Sequence, residues 1–163
     1  MEPGLSGEQL GAYFVLMEVS GILQHAVEDQ LRTEGDLSYL QFQILARLAD
    51  APDGRMRMTD LADVLVHSRS GLTYQVGLLG KRDLITRAPS PDDERSTIVA
   101  ITAAGRELVA RVLPGHAAGV RRLLFDGMTE SDLGALAGVL GRVRDHMRAV
   151  PPRSAKPRAA RNR

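Results

Sequence analysis

Between Ser68 and Lys81 one helical face carries side chains of the kind that meet a polyanion. Leu72, Val76 and Leu79 recur at i, i+4 and i+7, which predicts a helix over Arg69 to Arg82 whose apolar face packs on Leu61, Val64 and Leu65 of a preceding helix, Thr59 to Val66. The opposite stripe holds Ser70, Tyr74, Gly77 and Lys81, with Arg69 and Thr73 toward its sides. Ser68 stands where an N-cap belongs and would turn the first-turn N–H groups toward an anion. Gly77 lowers helix stability by roughly 1 kcal/mol relative to Ala, yet lets a base edge or backbone come close. A solvated face with no partner would tolerate the same residues, so the stripe alone leaves both readings open.

Two β-leaning runs follow, Leu84 to Ala88 and Thr97 to Ile101, and the Pro- and Asp-rich stretch from Pro89 to Ser96 between them is expected as a wholly exposed loop. Arg95 stands there beside Asp92, Asp93 and Glu94. A narrow minor groove concentrates negative potential and draws such a guanidinium, with Asp93 placed to hold its stem. Arg87, in the first run, completes the basic set. Helix, turn, helix and hairpin is the order of a winged helix-turn-helix.

Asp93-x-Arg95, then Ser96 to Thr102 and Gly105, resembles the wing signature of MarR-type regulators. Leu65-x-x-Ser68-x-Ser70-x-x-Thr73, with Leu79 and Arg82-x-Leu84-Ile85, is similar to that family's recognition helix. The resemblance runs from about Ser6 to Arg148 and departs from the commoner pattern at Tyr74, Gly77, Gly80 and Asp83. It implies a bacterial homodimer that binds double-stranded DNA at a palindromic operator, commonly a repressor released by a small, aromatic or phenolic ligand. By that resemblance Arg95 matches the minor-groove arginine and Asp93 its carboxylate partner, while Ser68, Ser70 and Thr73 match positions that meet phosphate or bases. It also implies an effector site between the first helices and the DNA lobe. Tyr13, Met17, His25, Tyr39 and Phe42 are the candidate lining, suited to a planar aromatic anion. The alternative is a winged-helix module that binds protein or RNA without operator specificity.

Other chemistries find no support. The histidines at 25, 67, 116 and 146 are scattered and no cysteine occurs, so neither a metal site, a disulfide nor a thiol switch is expected. No phosphate-binding glycine motif follows a strand, no catalytic constellation is present, and no cofactor is expected. Six aromatics in the chain argue against base-stacking on single strands. The longest apolar run, Ala12 to Met17, is six residues, which predicts no membrane span and a cytoplasmic protein. Net charge is only +1, and five basic residues fall in Val150 to Arg163, leaving 16 basic against 20 acidic groups before it. A positive surface must therefore come from placement.

These residues need a scaffold. Ser6 with Gln9 resembles a capping box opening a first helix to Thr33, with Gly35 ending it; at ~1.5 Å per residue it is too long for a small lobe to bury. Ser38 with Gln41 opens a second, Tyr39 to Ala49. A short strand over Arg55 to Met58 is expected before Thr59 caps the third helix. Thr102 caps a helix running toward Phe125, with a bend or break near Pro114. Thr129 with Asp132 opens the last, where Leu133, Leu136, Leu140, Val143 and Met147 repeat at near-heptad spacing. The expected fold is mainly α with a small β wing: a winged helix-turn-helix lobe over 38–102, long dimerisation helices over 6–33 and 103–149, all one domain over 1–150, and a basic, disordered tail over 151–163.

Overall fold

The computed structural model describes residues 4–91 and 93–149, except the side chains of 93–95; the expected tail lies outside the described residues. Two compact units result, the first ending at Leu123 and the second beginning at Leu124. In the first, α1 (Gly7–Gly35) starts from a closed capping box: the Gln9 N–H donates to Ser6 Oγ at 3.2 Å and the Ser6 N–H to Gln9 Oε1 at 2.8 Å. It stops because Asp36, not Gly35, turns left-handed (φ 49°), its N–H donating to Arg32 O. Gly35 serves packing instead. A Cβ there would lie 2.8 Å from Val112 Cγ1, so the glycine lets α1 close on α5 (Ala103–Val120). The same capping box, Ser38 with Gln41, opens α2 (Tyr39–Asp50).

Strand β1 (Arg55–Arg57) runs straight into α3 (Met58–Leu65). Here the structure corrects the expected Thr59 cap. Arg57 is at once the last ladder residue, paired with Ile98, and the helix's extended cap position, so Thr59 falls inside the first turn and its hydroxyl donates to Asp60. After a turn, α4 (Arg69–Lys81) leads to a hairpin of β2 (Ile85–Ser90) and β3 (Asp93–Ile101). The hairpin is longer than expected. Its ladder continues through Pro89↔Thr97 and, after a bulge, Ser90↔Asp93, so most of the anticipated loop is strand. Ser90 is buried where a surface loop was expected. β2 is an edge strand in the order β1-β3-β2, where a proline's missing N–H is tolerated.

One core joins the elements of this unit: Val27 and Leu31 of α1, Ile44, Leu45 and Leu48 of α2, Leu61 and Leu65 of α3, Leu72, Val76 and Leu79 of α4, Val99, and Leu108 and Val112 of α5. Val64, expected in it, is exposed, and Ala62 takes its place. Each fully buried leucine contributes about 1.5–3 kcal/mol. α5 shows no break at Pro114; the regular helix gives way later, in a π turn at Arg121–Phe125. The Pro114 ring faces solvent, and the Gln30 amide donates to Val112 O at 3.2 Å, bracing that turn from α1.

Only the last turns of α1 are buried. By length and composition α1 is apolar enough to cross a membrane, with a mean hydropathy of 1.3 over its best stretch, 6% of which is buried. Uninterrupted runs miss this, because Glu18 and Gln24 divide the face without lowering its average much. Its docking through Val27, Leu31 and Gly35 makes it part of the domain rather than a separable span.

In the second unit, α6 (Glu130–Ala149) begins at a Thr129–Asp132 box, with Thr129 N–H and hydroxyl both donating to Asp132 Oδ2 (2.9 and 2.7 Å). Those bonds hold the Asp132 carboxyl below its usual range. No residue of α6 is buried, and Leu133, Leu140, Val143 and Met147 of the heptad seam are all exposed.

Candidate nucleic-acid interface

The outward side of α4 is built as its spacing predicts. Leu72, Val76 and Leu79 are fully buried, while Arg69, Ser70, Thr73, Tyr74 and Lys81 are exposed, Tyr74 by 65%. No carboxylate occurs between Arg69 and Lys81, although the chain before its tail is acidic overall. Ser68 Oγ accepts the Gly71 N–H at 3.2 Å and lies 3.5 Å from Ser70 Oγ, so two hydroxyls sit together at the helix start. The remaining first-turn N–H groups and the helix dipole favour an anion there. Thr73 bends back instead, its hydroxyl donating to Arg69 O at 2.7 Å, which leaves its methyl group outward. Among the described residues, nothing beyond the chain neighbours and the helix's own backbone lies within 4 Å of where a Gly77 or Gly80 Cβ would be, so the stripe is open to close approach.

Two tethers fix this helix, and neither was anticipated. The Gln41 amide of α2 donates to Gln75 Oε1 at 2.9 Å, itself oriented because Gln41 Oε1 accepts the Ser38 N–H in the capping box. At the other end Arg82, the C-cap of α4, donates to Asp36 O (2.6 Å) and Gly35 O (3.2 Å), so one guanidinium ties the end of α4 to the end of α1. The turn before α4 is tight: Val66 adopts φ 54° and the His67 N–H donates to Ala62 O at 3.3 Å. His67 is exposed beside the Ser68 cap.

Arg87 is exposed on β2, the strand against which α4 packs. Asp93 and Arg95 are both in β3 rather than in an irregular loop, Asp93 pairing with Ser90 beyond the ladder's bulge and Arg95 falling within it. Their side chains, and so the expected Asp93–Arg95 pairing, lie outside the described residues.

The five residues expected to line an effector site are not gathered. Tyr13 and Met17 are about half exposed on α1, where Tyr13 meets Phe14 with ring centroids 5.5 Å apart. His25 is also exposed, Tyr39 is half-buried against the core, and Phe42 is core. Phe42 instead meets His116 of α5, ring centroids 4.7 Å apart. A cavity of about 340 Å³ opens nearby between α1 and α5, lined by Val27, Gln30, Glu34, His116, Arg122 and Leu123 among others, and by none of the five. Its polar residues come from positions far apart in the chain, although Gln30 and Glu34 at i, i+4 and the Pro114-Gly115 pair were visible as local signals.

The arrangement has known counterparts. A family model described as MarR family matches residues 35–96. The crystal structure of AbsC, a MarR family transcriptional regulator from Streptomyces coelicolor, is 30% identical with a TM-score of 0.84, the match covering 90% of this chain and 99% of that one. The chain belongs to the MarR family. A second member from that organism, Sco3205, solved in complex with DNA, is 27% identical at a TM-score of 0.87, covering 96% of each chain. The HTH-type transcriptional repressor YetL of Bacillus subtilis is 28% identical over 66% of this chain, and the match spans 64% of YetL's length. Membership accounts for the winged lobe followed by α5 and α6.

Proposed function

We propose that this MarR-family chain is a homodimeric, sequence-specific regulator of transcription that binds double-stranded DNA in the bacterial cytoplasm, as a repressor released by a small ligand. The observation that carries the reading is the exposed, carboxylate-free stripe of α4, with paired hydroxyls at its start, Arg69 and Lys81 along it, and tethers from α2 and α1 behind it. Such a helix presents its N-terminal turns to a groove while the wing follows the backbone. Phosphate contacts by Ser68, Arg69, Lys81 and Arg87 position the protein, and Ser70, Thr73 and Tyr74 are placed to read bases. Arg95, with Asp93 as its partner, enters the minor groove. The dimer covers the exposed apolar faces of α1 and α6 and spaces two recognition helices on a palindrome.

Titrating the protein against duplexes from its own promoter region across salt tests this. Operator DNA should bind far more tightly than scrambled DNA, with log K falling steeply against log salt. Equal, weak affinity for both duplexes would favour the protein- or RNA-binding alternative.

A further inference from the structure

Thr73 stands in the second turn of α4 after the Ser68 cap, where a helix laid into the major groove brings its side chains against base edges. Its hydroxyl is already committed. Thr73 Oγ1 donates to Arg69 O at 2.7 Å, one turn back in the same helix. A hydroxyl carries a single hydrogen, so Thr73 has none left for a base acceptor such as guanine N7 or O6, and the bond draws its oxygen onto the preceding turn. The other branch of the side chain, the methyl group, is then its free end, and the residue is exposed.

The neighbours leave that methyl uncovered. Gly77, four residues on along the same face, has no side chain to lay over it. Ser70, three residues back, is short, and its hydroxyl lies 3.5 Å from Ser68 Oγ at the cap. Ser68 itself shows the contrasting pattern. Its Oγ accepts the Gly71 N–H and keeps its own hydrogen to give, which suits a phosphate oxygen. Within a stripe of hydroxyls and cations, Thr73 thus presents a small apolar group whose rotamer an internal hydrogen bond holds.

We infer that Thr73 is a specificity-determining residue that reads DNA through its methyl group, and that the base it selects is thymine. The inference rests on the DNA-binding reading above and deepens it, naming what one position of the stripe recognises. In the major groove thymine is marked off from the other three bases by its C5 methyl, and a threonine methyl packed on it removes both groups from water. Cytosine and uracil offer no methyl there. One buried methyl corresponds to about a fourfold preference per half-site.

The test removes the methyl from each partner in turn. The full-length protein selects a consensus duplex from a random pool, and that duplex is resynthesised with its thymines replaced by uracil, one position at a time in both half-sites. Affinities come from fluorescence anisotropy at fixed salt. At one thymine position the replacement should weaken the wild type about tenfold or more, the product of two half-sites. Thr73→Ser, which keeps the hydroxyl and can keep its internal bond, should bind the thymine and uracil duplexes of that position alike. Thr73→Val, which keeps a methyl without the hydroxyl, should retain the uracil penalty there. Uracil tolerated by the wild type at every position, penalties identical in wild type and Thr73→Ser, or a penalty lost in Thr73→Val would overturn the inference. Circular dichroism checks the fold of both variants, and the wild-type arm decides without them because uracil leaves the protein untouched. A scrambled duplex, titrated alongside, separates the two readings. No preference for the selected duplex over the scrambled one defeats the DNA-binding reading and this inference with it, whereas a clear preference without a Thr73-linked uracil penalty defeats this inference alone.

Discussion

Val66 holds φ 54° with a β-branched side chain that is 74% exposed, in the turn that sets α3 against α4. Sterics oppose that conformation for valine by about 1–3 kcal/mol, and little burial offsets it. Val66→Gly should therefore stabilise the protein by about 1 kcal/mol, after the glycine's extra chain entropy of ~0.5–1 kcal/mol is subtracted. Urea unfolding of both proteins measures this, and a loss of stability would mean the valine has packing that its exposure hides. Asp83, at φ 55°, is milder, since Asp tolerates the left-handed region and its carbonyl accepts the Thr102 hydroxyl at 2.7 Å. On the binding side, Lys81→Ala should weaken all duplexes alike and lower the salt slope by roughly 1, whereas Tyr74→Ala should change which bases a selection returns. Arg95→Ala should cost more than about threefold, ~0.65 kcal/mol, in operator affinity while leaving the thermal midpoint in place. A smaller loss would remove the wing from the binding account.

Between elements, the joints are made by side chains far apart in sequence. Arg82→Ala leaves the last carbonyls of α1 without their charged donor, which should cost about 1.5–3 kcal/mol in urea unfolding; Lys, lacking the forked donors, should restore little of it. A change under ~0.5 kcal/mol would show that water replaces the arginine. His116 gives a pH signature. Burial lowers its pKa below the ordinary 6.5, so above that value both folded and unfolded states are neutral, and below it the unfolded chain takes the proton first. Stability should therefore fall as pH drops from 6.5, and His116→Phe should flatten that part of the curve; parallel slopes for the two proteins would exclude the histidine as its source. The helix starts at Ser6, Ser38, Ser68, Thr102 and Thr129 were legible, because a cap is decided by four consecutive residues. The start of α3, the reach of the wing and the continuity of α5 past Pro114 were not. Ladder pairing of Arg57 with Ile98 fixes the first and Pro89 with Thr97 the second, while α1 braces α5 through Gln30. The face of α4 was readable from its period, but its tethers and the α1–α5 cavity join residues 34 to 82 positions apart, where no local pattern reaches.

For the molecule as a whole, most of the large exposed apolar residues among those described fall on two helices, with Leu10, Phe14, Met17 and Ile22 on α1 and Leu133, Leu140, Val143 and Met147 on α6. Patches of that extent on a folded protein mark an interaction surface. Deleting 133–163 should abolish the dimer, and Phe14→Glu should weaken it without unfolding the lobe, since that ring is 59% exposed. Sedimentation at about micromolar concentration reads both, and a monomeric wild-type chain there would defeat the proposed assembly. The sheet has a consequence of another kind. β1 pairs with β3 across the entire helix-turn-helix, Arg55 with Ala100 and Arg57 with Ile98, and the Ile101 N–H donates to Gly54 O at 2.9 Å. α3 and α4 thus lie inside a loop whose ends the sheet ties together. On the ribosome, α1 and α2 can form as their caps emerge, but β1 has no strand to join until Ile101 is outside the exit tunnel, and closing so long a loop is the slow event. A nascent chain carries every residue of the exposed α4 stripe before that stripe is held in place, and the hold arrives in one step, when the second strand of the wing comes home.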